Sequence, residues 1–141
     1  MKQLILAAAV ALVSLFTATS GMAQTDYDAN QTNYFVLNRN LQQLKAISLA
    51  AGDLAKADGE SFGQFQVVIC GKTVEELTNA ETMKPIIELA EKNNVMLNAC
   101  GFSLKKFGVN ATDLPKGMKV VDNGILHGFT LQKAGFHSIT L

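Results

Sequence analysis

Two cysteines are the residues of this chain whose type and setting point most directly to nucleophilic chemistry, and they arrive in matching contexts. The first lies in Val67-Val68-Ile69-Cys70-Gly71-Lys72-Thr73, the second in Met96-Leu97-Asn98-Ala99-Cys100-Gly101-Phe102-Ser103. Each context is an apolar run suited to a buried strand, then Cys-Gly, then a hydroxyl residue of the kind that caps a helix. In a parallel α/β sheet, ligands and chemistry collect at the C-terminal ends of the strands. The pattern therefore predicts both thiols at one rim of a sheet, just ahead of helix N-termini, where a cysteine ionises most readily.

Cys100 is the stronger candidate. Gly101 behind it allows close backbone approach or a positive φ. Ser103 is expected to open a short helix whose positive end points back toward the thiol, and Lys105 and Lys106 add positive potential one turn on. These features favour the thiolate, which is the attacking form. Around Cys70, Glu75 and Glu76 stand in place of the two lysines, so its field favours the thiol. The residues alone leave the alternatives open: a reactive Cys100, a Cys70–Cys100 disulfide, or two inert core cysteines. The spacing of the cysteines with His127, His137 and the carboxylates matches no recognisable metal-ligand pattern, so no metal is expected. Both histidines read as structural. Phe102, Phe107 and Phe129 read as core, with a pocket wall beside Cys100 as the alternative.

The elements that must position the thiols follow from periodicity. Strands are expected at Tyr34–Leu37, Phe65–Ile69, Val95–Ala99, Met118–Val121 and Phe136–Leu141. Leu41, Leu44, Ile47, Ala51, Leu54 and Ala55 share one helical face, with Asn38 as a possible cap. Thr73 and Glu76 fit a capping box. A helix is expected from about Met83 to Asn93, with Pro85 near its first turn and Ile86, Leu89 and Ala90 inward. A further short helix runs from Ser103 to Phe107. Asn123 suits the N-cap of a helix over Gly124–Ala134, closed by Gly135. Strands alternating with helices imply a parallel sheet covered on both faces.

The N-terminus reads differently. Residues 1–23 carry Lys2, an uncharged apolar stretch from Leu4 to Phe16 that is too short to span a bilayer comfortably, and small residues at Gly21 and Ala23. This is the pattern of a signal peptide, which places the protein in the periplasm or outside the cell. Residues 24–33 are polar and aperiodic and read as a flexible arm ahead of a single domain over 34–141. The formal charge of 0 gives nucleic-acid binding no electrostatic support. No later apolar stretch reaches transmembrane length, so no membrane partner is expected after cleavage.

Three segments together carry a resemblance to a known family: Asn94-Val95-Met96-Leu97-Asn98-Ala99-Cys100, then Leu104-Lys105-Lys106-Phe107-Gly108-Val109, then Gly128-Phe129-Thr130-Leu131. Over about Tyr34 to Leu141 the chain resembles the DsrE/DsrF-like proteins, and within them the TusD/DsrE-type sulfur relay branch. Cys70 is not part of that branch's pattern, nor does this chain have the Gly-Pro turn that its members carry after the first strand. The resemblance implies a three-layer α/β/α domain with a five-stranded parallel sheet. It also implies a cysteine, matched here by Cys100, that accepts sulfane sulfur as a persulfide and hands it on. Gly101 and the amides near Ser103 would then support the thiolate, with Lys105 and Lys106 adding screened charge. No cofactor is implied. The implied partners are sulfur donor and acceptor proteins or small sulfane-sulfur compounds, with further copies of the chain in a homo-oligomer. The alternatives are a redox protein cycling Cys70 and Cys100 between dithiol and disulfide, and a non-catalytic binding or assembly subunit.

The N-terminal reading predicts that exported protein begins at Gln24, which N-terminal sequencing checks. Recovery of Met1 on a membrane-bound form would make the segment an anchor instead.

Overall fold

The computed structural model describes residues 27–141; the expected signal peptide and the first part of the expected arm lie outside the described residues. Five strands form one parallel sheet: β1 (Thr32–Asn38), β2 (Phe62–Ile69), β3 (Val95–Cys100), β4 (Met118–Val121) and β5 (His137–Thr140). Their spatial order is β4-β3-β2-β1-β5. Four α-helices connect them: α1 (Leu44–Asp58), α2 (Ala80–Lys92), α3 (Gly101–Phe107) and α4 (Gly124–Lys133).

That order dictates which face each helix covers. Parallel strands joined through a crossover take one hand almost without exception. The connections β1→β2, β2→β3 and β3→β4 all step the same way across the sheet, so their helices share a face. The connection β4→β5 runs back past the other strands, so α4 lies on the opposite face. The core divides accordingly. One cluster joins Leu44, Ile47 and Ala51 of α1, Met83, Ile87 and Ala90 of α2 and Leu104 of α3 to Val36, Val67, Ile69 and Leu97 of the sheet. The other joins Phe35, Val68, Cys70 and Cys100 to Leu131 and Phe136. The expected α/β/α layering is present, with one helix rather than several on the second face.

β1 and β2 begin earlier than the apolar runs, β3 and β4 begin where expected, and β5 begins one residue later. β1 starts at Thr32, inside the stretch read as an arm, because Asn33 is buried and fully engaged. Its amide donates to the carbonyls of Asp28 and Gln31 (both 2.9 Å), and its Oδ1 accepts from the Gln64 backbone at 2.8 Å. A buried polar side chain with all its bonds made belongs to a sheet as well as an apolar one does.

Helix starts differ more. Asn40, not Asn38, caps the turn before α1, accepting from the Gln42 amide at 3.0 Å. Asn79 caps α2 through Thr82 at 3.1 Å, so the helix starts earlier than Met83 and Pro85 falls in its second turn, exposed to solvent. Its buried residues are Met83, Ile87 and Ala90; of those expected inward, Ala90 is buried, Ile86 packs partly buried against the core, and Leu89 is only half-buried. The capping box at Thr73 does not form. That segment is a 3-10 helix over Gly71–Thr78, and the Thr73 hydroxyl donates to the Arg39 carbonyl instead. The Asn123 cap is as expected, and Gly135 takes a positive φ of 90° just past α4.

The seat of α4 depends on close approach. A Cβ on Gly128 would lie 2.8 Å from Cε1 of Phe35, a buried ring. Gly128→Ala gains about 1 kcal/mol of helix propensity but forces a clash whose usual cost is about 1–3 kcal/mol. A net loss of stability is expected in urea titration. A net gain would mean that the Phe35 ring yields freely.

Candidate functional site

Both cysteines lie at the C-terminal rim, as the sequence implies. β2 and β3 are neighbours with Ile69 opposite Ala99, and Cys70 and Cys100 come one residue further along each. They are therefore lateral neighbours on one face, at a strand spacing of about 5 Å. Both are free thiols, and the Cys70 thiol hydrogen-bonds the Cys100 sulfur.

The topology opens the sheet at this place. The chain leaves β3 toward one face through α3 and leaves β4 toward the other through α4. Such a divergence is the switch point at which open α/β sheets bind ligands. Cys100 ends β3, and the chain after β4 folds over it. The Phe102 amide donates to the Asp122 carbonyl at 3.0 Å, clamping the start of α3 to the turn before α4. Gly101 serves that clamp: a Cβ there would meet the Asp122 carbonyl oxygen at 3.0 Å. Its role is close packing of backbone on backbone, and its φ is not positive.

Gly124 roofs the thiol pair. A Cβ on it would stand 2.6 Å from Cys70 Sγ and 3.3 Å from Cys100 Cβ. Asn123 Oδ1 takes the amides of Ile125 (3.0 Å) and Leu126 (3.2 Å), while the Gly124 amide donates to Cys100 Sγ at 3.3 Å. The first turn of α4 thus divides its free donors between its own cap and the sulfur.

Ser103 lies within α3 rather than at its cap. Its Oγ accepts from the Gly71 amide at 2.9 Å, bridging the loops after β2 and β3. Its hydroxyl and its backbone amide both hydrogen-bond Cys100, and the hydroxyl also reaches Cys70.

These contacts separate two identical thiols. At Cys100, burial pushes the pKa up, but the Ser103 hydroxyl, the Gly124 and Ser103 amides and the Cys70 thiol outweigh it, and the net shift is downward. At Cys70, burial again raises the pKa, and the neighbouring Cys100 adds to that by its charge and hydrogen bond; Arg39 and Ser103 oppose only in part, leaving it at about 12. Lys105 and Lys106 lie on the exposed side of α3, and Lys106 sits over the Phe107 ring at 5.6 Å. Neither is among the groups that shift Cys100, so the sequence credited the lysines with a task that hydrogen bonds perform. Gly124 and Arg39 were missed. The one legible signal was a glycine in the first turn of a helix, where only close approach explains it.

The site is nearly closed, with Cys100 4% and Cys70 6% exposed. Exposed apolar side chains flank it. Phe102 and Phe129, expected in the core, are 65% and 59% exposed, and Ile125 and Leu126 are also exposed. They border the start of α3 and the first turns of α4. Phe107 does pack against the core. Below the thiols, half-buried His127 pairs through Nε2 with Gln66 Oε1 at 2.9 Å, and burial lowers its pKa. His137 is exposed and lies against Tyr34. Among the described residues, no three side chains from His, Cys, Asp and Glu come together as metal ligands. A groove of about 620 Å³ lies on the other face of the sheet, between α1 and β5 and lined by Ile47, Leu54 and Ile139 among others, away from the thiols.

No family model matches the chain, and no curated protein matches it. Solved structures do. One is a protein of unknown function from Methanobacterium thermoautotrophicum, 25% identical, with a TM-score of 0.64 over 79% of this chain and 99% of that one. Another is a conserved protein of unknown function from Bacteroides thetaiotaomicron, 18% identical, with a TM-score of 0.57 over 77% of this chain and 95% of that one. This chain shares their α/β fold.

Proposed function

We propose that this protein is an exported sulfur-handling domain in which Cys100 accepts sulfane sulfur as a persulfide and passes it to an acceptor thiol. The observation that carries the reading is the set of donors converging on one sulfur: the Gly124 and Ser103 amides, the Ser103 hydroxyl and the Cys70 thiol. A ring of hydrogen-bond donors holds negative charge on sulfur without a metal or a neighbouring cation. It thereby supports a thiolate nucleophile, and equally a good leaving thiolate when the sulfur is passed on. The resemblance of the Leu-Asn-Ala-Cys strand end and the Gly-Phe-Thr-Leu helix to sulfur relay proteins points the same way.

The near closure of the site favours a small donor in this reading. A thiol with 4% of its residue exposed admits a thin chain of sulfur atoms more readily than a bulky electrophile, so small persulfides and polysulfides suit it best. The exposed collar of Phe102, Ile125, Leu126 and Phe129 suits a protein surface, either an acceptor or a second copy in a homo-oligomer. The neighbouring thiols also favour a second reading, a redox protein that cycles Cys70 and Cys100 between dithiol and disulfide.

Two measurements test the acceptor reading. In a pH series with a small alkylating reagent, Cys100 is expected to label with a midpoint below the free-cysteine value, and Cys70 far above it. Ser103→Ala removes a bond to charged sulfur worth about 1.5–3 kcal/mol, so the Cys100 midpoint should rise by about one pH unit or more. Replacing both lysines by alanine should leave it in place. Equal, slow labelling of both thiols would favour an inert core.

The second measurement follows release of the donor's thiol from a small organic persulfide under anaerobic conditions. Wild type should accelerate it, and Cys100→Ser should fall to the rate without protein, because a hydroxyl neither ionises at neutral pH nor forms a persulfide. Undiminished release by Cys100→Ser would overturn the reading.

A further inference from the structure

The sulfur relay pattern that Cys100 matches has no counterpart to Cys70, yet the fold places the second thiol where it touches the first. Cys70 and Cys100 extend neighbouring parallel strands in register and face the same side of the sheet. Adjacent strands stand about 5 Å apart, within the Cα separations that a disulfide spans. The Cys70 thiol hydrogen-bonds the Cys100 sulfur, and Gly124 closes over both with no room for a side chain between itself and the Cys70 sulfur. The Ser103 hydroxyl stands within reach of both sulfurs, with one hydrogen to give, and receives the Gly71 amide that follows Cys70, so one residue ties the two loops. An inert structural cysteine needs none of this.

We propose that Cys70 is a resolving thiol: it attacks Cys100 Sγ of the persulfide, forming a Cys70–Cys100 disulfide and expelling hydrosulfide. This rests on the sulfur-acceptor reading above. The step balances within the pair. The Cys70 sulfur supplies the electron pair of the new S–S bond, and its proton leaves with the departing sulfur. The bond between Cys100 Sγ and the outer sulfur breaks, and its electrons go to that sulfur. The sulfane sulfur is reduced to sulfide while Cys70 is oxidised to the disulfide. With an organic persulfide as donor, the whole cycle turns one donor and two protein thiols into one donor thiol, one hydrosulfide and one disulfide. An external dithiol, as found in thioredoxin-like reductants, restores the pair.

The local electrostatics order the steps. While Cys100 is a thiolate, its charge and its hydrogen bond hold the proton on Cys70. Loading sulfur moves that charge one bond further from Cys70, and the Ser103 hydroxyl and Arg39 already favour ionised Cys70. The second thiol is thus restrained until the first is loaded.

The test is anaerobic mass spectrometry and hydrosulfide assay of reduced protein mixed with one equivalent of a small organic persulfide. Wild type is expected to release about one hydrosulfide per chain, to lose two hydrogen atoms and to retain no extra sulfur. Cys70→Ser and Cys70→Ala should retain one added sulfur on Cys100 and release little hydrosulfide. Wild type that keeps the added sulfur with Cys70 still alkylatable would overturn the resolving role and leave the acceptor reading intact. Cys70 variants that carry the whole donor thiol, rather than a single sulfur, would overturn the acceptor reading and the inference with it. The wild-type measurement decides whether Cys70 closes on Cys100, and the adduct trapped in either Cys70 variant decides whether it does so through a persulfide.

Discussion

A connection between parallel strands must pass over a face of the sheet, and the twist of the strands gives it one hand. In this chain that constraint decides nearly everything else. Three crossovers step one way and stack α1, α2 and α3 on one face, and the return from β4 to β5 lays α4 across the other. The gap between β3 and β4 is where the two directions part. Cys100 stands at its lip, because β3 ends there, and Gly124 stands above it, because α4 begins there. The bond from the Gly124 amide to the Cys100 sulfur is the local expression of the topology. An arrangement in which all four helices shared a face would leave that sulfur without its roof.

Burial and hydrogen bonding act against each other at the site, and the contest comes out differently at two sulfurs that touch. Taking a thiolate out of water is unfavourable, and by itself it would keep both cysteines protonated. Cys100 escapes because four donors converge on it, two of them backbone amides that hold their positions without any loss of side-chain freedom. Cys70 has the Ser103 hydroxyl and the more distant charge of Arg39, and it must also face the negative charge of its neighbour. Two like charges in contact in a water-poor site cannot both persist, so the first ionisation suppresses the second. The asymmetry comes from what surrounds each sulfur: Ser103 and Gly124 act on Cys100, while Cys70 faces the charge of its neighbour.

The same distinction explains what was legible in the sequence. The strand cores were readable from local apolar runs, the parallel sheet from their alternation with helices, and the shared rim from the Cys-Gly that follows two of those runs. The Asn123 cap was readable because the cap and its amides lie within three residues. Thr73 and Ser103 were misread for a matching reason. Each hydroxyl looked like a local helix cap, yet each bonds a segment more than thirty residues away, Thr73 to Arg39 and Ser103 to Gly71. Lys105 and Lys106 were overvalued because proximity in sequence stood in for direction in space. Phe102 and Phe129 were assigned to the core on hydrophobicity alone, but a helix with one face against the sheet can hold an aromatic residue on the other. The donors that matter most to Cys100 come from Ser103, three residues on, and from Gly124, which only the order of the strands brings near.

Closure of the site has a further consequence for how sulfur could move. A persulfide on Cys100 needs space for one more atom, and there is almost none beside Gly124. The elements that would have to yield are the first turns of α3 and α4, which are held by the Phe102–Asp122 bond and by the Asn123 cap. Both turns carry their apolar residues outward, at Phe102, Ile125 and Leu126. The exposed side chains and the enclosing turns are therefore parts of the same two helix starts. In the free protein the first turns of α3 and α4 thus keep the thiol pair nearly closed to solvent, and the same two turns carry the exposed apolar side chains.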